Sequence, residues 1–235
     1  NTFDVQPGES IGICGPTGAG KSTLINILTR YYDIDSGTIL VDGQDLSKLT
    51  QRSLRRQVGV VLQEAFLFTD TVMNNLKYAR EGTTDEEAIA AAKKANAHDF
   101  ITALPQGYDT LLTERGANLS QGQRQMITIA RAMVADPKML ILDEATSNVD
   151  TRTEKLIQGG MRNLMEGKTS FSIAHRLATI RDSSRIMVVN GGVIVEMDPH
   201  DKLIAEKGLY YNLVKSQFKG KGPGGEVDTS GFVST

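Results

Sequence analysis

The 235-residue sequence is short of several things at once. It has a single cysteine, Cys14, so no disulfide can close within the chain. Its 26 basic residues nearly cancel its 28 acidic ones, and a net charge of −2 leaves no global field to attract nucleic acid, so no nucleic-acid partner is expected. No apolar run approaches the ~20 residues needed to cross a bilayer, so any membrane role has to come through a partner. No charged-then-apolar leader opens the sequence and no internal repeat runs through it. The single cysteine and missing leader together place the chain in a reducing, cytosolic compartment. Cys14 lies in an apolar, strand-like run and reads as a buried structural thiol.

What is present is enough for a core: 40% of the residues are hydrophobic. Ser10 to Cys14 is a short strand-like run, followed by a glycine-rich turn and a helix with apolar positions at Leu24, Ile27, Leu28 and Tyr31. Thr38 to Val41 reads as a strand ended by the Asp42-Gly43 turn pair, and Val58 to Gln63 as another strand. From about Met73 to Asp136 the pattern turns helical, with Thr84 and Glu87 at the spacing of a capping box. Strands return at 139–143 and 169–175, apolar runs of the length of buried parallel strands. The hairpin of 185–196 turns at Asn190 to Gly192. Asp198 and Pro199 read as N-cap and first residue of a closing helical segment that reaches about Phe218. Residues 219–235 are glycine-rich, without periodicity, and read as a flexible tail. The elements describe an α/β core with an inserted helical portion.

Residues Gly15, Pro16, Thr17, Gly18, Ala19, Gly20, Lys21 and Ser22 match G-x-x-x-x-G-K-[ST] in full, between a predicted strand and a predicted helix. Backbone N–H groups of such a loop turn inward around a polyphosphate, and the helix opening near Lys21 adds the positive end of its dipole. Lys21 supplies a point charge for β- and γ-phosphates, and the Ser22 hydroxyl is placed for Mg²⁺, with Thr23 next in the nucleotide-facing run. The plainer alternative, a glycine-rich turn with a solvated lysine, leaves the complete motif in its strand-to-helix context unexplained. By itself the loop does not separate kinase, GTPase, motor and transporter. The strand MLILDE then delivers Asp143 and Glu144 at its end, where an aspartate can hold Mg²⁺ through water and a glutamate can polarise an attacking water.

A second helix opens with LSQGQ. Ser120 and Gln123 form a capping box, and Met126, Ile127, Ala130, Met133 and Val134 continue one apolar face, so a second anion-attracting N-terminus exists, with Gly122 allowing close approach. LSQGQ followed by RQ, just upstream of MLILDEATS, resembles the signature and Walker B segments of ABC transporters. The chain, over residues 1 to 218, is similar to the nucleotide-binding domain of a multidrug-exporter-type ABC protein.

The resemblance implies a P-loop NTPase core with a mostly parallel sheet and an antiparallel β portion, residues 1–72 and 137–218, and a helical subdomain at about 73–136. It gives Gln63 the role of the glutamine that touches Mg²⁺ and attacking water, and His175 that of the switch histidine at the γ-phosphate. Ser147, Asn148, Val149 and Asp150 resemble the D-loop, and residues 113–116 a loop facing coupling helices. Two such domains, identical or different, enclose ATP between the P-loop of one and Ser120, Gln121, Gly122 and Gln123 of the other. Glu144 then activates water. A transmembrane domain is implied as partner, and the cytoplasmic face of the membrane as location. A repair ATPase would break its halves with long coiled coils and a ribosomal factor would carry two cassettes; neither pattern is present. Gln121 stands where the commonest signature has glycine. The chain begins 20 residues before Lys21, and residues 1–10 hold only Phe3 as an aromatic, so the domain reads as truncated and the adenine-stacking residue stays unassigned.

Overall fold

The computed structural model describes residues 1–62, 65–144, 149–174 and 177–218. Strand β1 (Ser10–Cys14) leads through the glycine-rich loop into helix α1 (Lys21–Leu28). A small antiparallel pair, β2 (Leu40–Val41) and β3 (Gln44–Asp45), precedes α2 (Gln51–Gln57) and β4 (Val58–Val61). Helices α3 (Val72–Lys77), α4 (Asp85–Lys94), α5 (His98–Thr102) and α6 (Gln121–Ala135) follow in succession. The chain then alternates: β5 (Met139–Glu144), α7 (Thr151–Met165), β6 (Thr169–Ala174), α8 (Leu177–Ile180) and β7 (Arg185–Asn190). Strand β8 (Val193–Asp198), α9 (His200–Glu206) and α10 (Leu209–Phe218) complete the described chain.

The main sheet has six strands in the order β4-β5-β6-β1-β7-β8. All neighbours run parallel except β8, which returns antiparallel beside β7. Alternate residues of a strand point to opposite faces, and the burial follows that rule. Ile11 and Ile13 of β1, Ile141 of β5 and Met187 of β7 pack with Ile25 of α1 on one face. Leu140 and Leu142 pack with α6 and α7 on the other. Cys14, Ile186 and Val188 meet α8, α9 and α10. Gly12 of β1 is glycine because a Cβ there would run into Ile180 of α8.

The helices are capped as their residues dictate. In α4, Thr84 Oγ1 accepts from Glu87 N at 3.2 Å and Glu87 Oε2 accepts from Thr84 N at 3.0 Å, so the capping box predicted from the sequence is closed. Asp85, Glu86 and Glu87 fill its first turn and Lys93 and Lys94 its last, each sign matched to the helix dipole.

Three local expectations are corrected. Tyr31 does not extend the buried face of α1: the helix ends at Leu28, and Tyr31 is 61% exposed beneath the Arg55 guanidinium, 4.7 Å from its ring centroid. The Thr38–Val41 strand is shorter than expected, because only Leu40 and Val41 pair with β3, with one more backbone bond from Leu46 N to Ile39 O. Asp198 is not an N-cap: its backbone pairs with Ile186 as the last residue of β8, and Pro199 is the N-cap of α9. The Asp198 carboxylate instead accepts from Lys202 Nζ at 2.9 Å. Residues 219–235, read as a tail, lie outside the described residues.

Candidate functional site

The loop between β1 and α1 is a tight backbone enclosure. Gly15 sits at φ 148°, and a Cβ there would overlap the Val189 carbonyl oxygen of β7. Gly20, the N-cap of α1, is left-handed at φ 100° and lies against Gly192 in the β7–β8 turn. Gly192 N donates to Ala19 O at 2.8 Å, so that turn braces the loop from the side. The sequence revealed the Gly191-Gly192 turn, yet nothing in it showed that the turn would meet a segment some 170 residues earlier. Lys21 Nζ donates to the carbonyls of Gly15 and Pro16, each at 2.9 Å, and so spans the loop from its far end.

Helix α1 begins with no side-chain cap and no acidic residue in its first turn. Its leading N–H groups are thus left to whatever enters the loop, an anion above all. Ser22 and Thr23 are exposed on that first turn. Behind the loop, burial pushes the Cys14 thiol up to about 12, so it stays protonated near neutral pH.

Strand register brings the other candidates to the same edge of the sheet. Ile13 is level with Ile173, and Ile173 with Asp143; Glu144 is level with Ala174. Adjacent strands are ~4.8 Å apart, so the ends of β1 and β5, with β6 between them, lie about 10 Å from each other. This is the carboxyl edge of a parallel sheet, where ligands of open α/β folds bind. Asp143 is half-buried there. Only the backbone placement of Glu144 is described. Gln63, Ser147, Asn148 and His175 lie outside the described residues, although β4 ends at Val61 and β6 at Ala174, just before two of them.

The oxygen donors on Ser22 and Asp143 have the hard chemistry Mg²⁺ prefers. Among the described residues no three His, Cys, Asp or Glu side chains gather into a metal site of their own.

The second helix N-terminus is built differently. Ser120 Oγ accepts from Gln123 N at 3.2 Å and Gln123 Oε1 accepts from Ser120 N at 2.9 Å, the predicted capping box. Ser120 remains exposed and its hydroxyl proton is free of that box. Gly122 is buried, and a Cβ on it would overlap Thr153 of α7 and approach Val149 at 3.3 Å. The structure therefore gives Gly122 a packing duty within its own chain, a neighbour the sequence could not reveal. Val149 is half-buried beside it, and Asp150 caps α7 through Arg152 N at 3.1 Å and Thr153 N at 3.0 Å. A side-chain hydrogen bond from Thr153, together with the backbone bonds from Thr153 and Arg152, holds the exposed Asp150 carboxyl below its ordinary pKa. A cleft of about 630 Å³ opens beside this N-terminus, with Lys93 and Arg152 on its walls.

The family model described as ABC transporter matches residues 1–147. The chain belongs to the ABC transporter family. It is 54% identical over 217 residues to YfiC of Bacillus subtilis (strain 168), an uncharacterized ABC transporter ATP-binding protein, covering 92% of this chain and 36% of that protein. It is 48% identical over 223 residues to an ATP-dependent lipid A-core flippase of Syntrophus aciditrophicus (strain SB), covering 95% of this chain and 37% of that protein. A solved bacterial Atm1-family ABC exporter with ATP bound superposes with a TM-score of 0.85 at 47% identity, covering 92% of this chain and 38% of the exporter chain. The chain thus spans just over a third of the length of each of these two curated relatives. ABC transporter ATP-binding domains are ATPases coupled to transport and generally use Mg²⁺ with ATP. The mixed α/β fold, with its mostly parallel sheet and antiparallel strand pair, is the fold of that exporter's matching part. Among the described residues no helix is long and apolar enough to cross a membrane.

Proposed function

We propose that this ABC domain binds and hydrolyses ATP as the motor of an exporter, pairing with a second ABC ATPase domain around two ATP molecules and driving a transmembrane domain from the cytoplasmic face of the membrane. The observation that carries the proposal is the uncapped N-terminus of α1, enclosed by a glycine-rich loop at the same sheet edge as Asp143 and Glu144. In this reading residues 1–72 and 137–218 form the nucleotide-binding core and about 73–136 a helical unit.

Each step assigns work to residues of this chain. The backbone of Gly15 to Gly20 and the first turn of α1 cradle the phosphates, and Lys21 exchanges its two carbonyl contacts for β- and γ-phosphate oxygens. Ser22, Asp143 and Gln63 would hold Mg²⁺, which would neutralise charge on the phosphates. Glu144 accepts a proton from the attacking water, and His175 donates to the γ-phosphate. From the second domain, Ser120 and the first turn of α6, Gln121 to Gln123, close over the same phosphate. Residues 147–150 lie along the seam between the domains.

Glu144→Gln tests the chemistry. It keeps the size of the side chain but removes the base, so phosphate release should fall ~10²–10⁴-fold while titration still shows ATP binding. A variant that hydrolyses at the wild-type rate would overturn the assignment.

A further inference from the structure

The turn between β7 and β8 has no part in the nucleotide reading, yet it is bonded to the phosphate loop. Asn190 pairs with Val193, so two residues make the turn, Gly191 at φ 57° and Gly192 at φ 78°. A two-residue hairpin with both central residues left-handed follows the twist of its strands, and glycine, asparagine and aspartate are the residues that accept it. A Cβ on Gly192 would meet nothing within 4 Å, so the backbone conformation, and not a lack of space, calls for glycine. Both polar groups of Gly192 are engaged: its N–H donates to Ala19 O at 2.8 Å, and its carbonyl accepts from Asn1 Nδ2 at 2.8 Å. Asn1 Oδ1 in turn accepts from Ile194 N at 2.8 Å, which ties the start of β8 to the same side chain.

Within the loop, Ala19 N donates to Pro16 O at 3.2 Å and Gly20 O accepts from Leu24 N at 3.0 Å, whereas Gly20 N has no acceptor among the described residues. The carbonyl of Ala19 and the N–H of Gly20 share one peptide group, and in a planar trans peptide the two point in opposite directions. Holding Ala19 O against the turn therefore directs Gly20 N–H away from it. We propose that Gly192 is a positioning residue for the phosphate loop: its amide fixes the Ala19–Gly20 peptide, and Gly20 N–H is thereby presented to the nucleotide phosphates. A donor aimed in advance loses little freedom when the phosphate arrives, whereas a loose one must first be ordered. This rests on the reading of the loop as a phosphate cradle given above.

The test compares Gly192→Val, whose branched side chain resists a left-handed backbone, with Gly192→Asn, which tolerates it, in the 235-residue chain. Gly43→Val is the control: Gly43 turns β2 into β3 at φ 76° with equally open space, and it makes no hydrogen bond to the loop. With Gly192→Val the dissociation constant for ATP, read by equilibrium titration with Mg²⁺, should rise about fivefold, the worth of one ordinary hydrogen bond, and the amide at position 192 should exchange faster by a similar factor. The kcat at saturating ATP should stay within about twofold of the wild type. Gly192→Asn and Gly43→Val should both keep wild-type affinity. Gly192→Ala makes the same comparison at lower strain and replaces Gly192→Val if that variant does not fold. Unchanged affinity in the strained variant, an equal loss in Gly192→Asn or in Gly43→Val, or a lower kcat at constant affinity would each overturn the proposal. Lys21→Ala, measured alongside, separates the two levels. If it loses ATP affinity while the strained variant binds as the wild type, the positioning role alone fails; if it binds ATP as the wild type, the reading of the loop fails and the proposal with it.

Discussion

Helices α1 and α6 both start at points where an anion is expected, and they begin in opposite ways. The first opens on a left-handed glycine, Gly20, with no side chain over its leading N–H groups. The second opens on Ser120, and its first turn is closed by a reciprocal pair of hydrogen bonds with Gln123. A capping box gives part of a helix's first turn partners from its own sequence, whereas an uncapped first turn leaves its N–H groups to water or to a bound anion. In the proposed function α1 holds the phosphate of its own chain, and α6 would offer a hydroxyl proton and a dipole to a phosphate brought by another domain.

Lys21→Ala strikes the uncapped end and should have the largest effect on ATP affinity. The lysine now spans two loop carbonyls and would carry the charge to the phosphates, and a charge-assisted contact of this kind is worth ~1.5–3 kcal/mol. ATP affinity, read by equilibrium titration, should drop at least ~10-fold. Unchanged affinity would erase the distinction between the two helix starts.

Ser120→Ala and Thr84→Ala sharpen the distinction from the other side with a smaller effect. Both residues cap helices through complete capping boxes, so each substitution should lower stability by ~1 kcal/mol in denaturant melts. Only Ser120→Ala should also reduce turnover, by roughly fivefold, because in the proposed function only that hydroxyl serves a phosphate. If the two variants lose turnover equally, the α6 cap is structural and nothing more.

Much of the site was legible because its chemistry is local. The phosphate loop, the strand carrying Asp143 and Glu144, and both capping boxes each lie within a few consecutive residues, where spacing alone fixes geometry. What stayed hidden depends on neighbours distant in sequence. The single apolar stripe read on α6 underestimates that helix: Gln125, Thr128 and Ile129 are buried as well, since α6 packs against α3 and α4, against α7, and against β4. Tyr31 followed the helical period but came after the helix had ended, and Asp198 was claimed by β7 before it could cap α9. Gly122 looked reserved for a ligand, and the structure sets Thr153 against it.

The central claim is that one ATP is shared between the uncapped α1 of one domain and the capped α6 of another. Static light scattering on Glu144→Gln tests it most directly, because the nucleotide persists when hydrolysis is blocked. With saturating Mg²⁺ and ATP the mass should rise from 25.5 kDa to twice that value, and the double variant Glu144→Gln, Ser120→Arg should bind ATP yet stay at 25.5 kDa. A Glu144→Gln chain that binds ATP and remains a monomer, or a double variant that still pairs, would contradict the account.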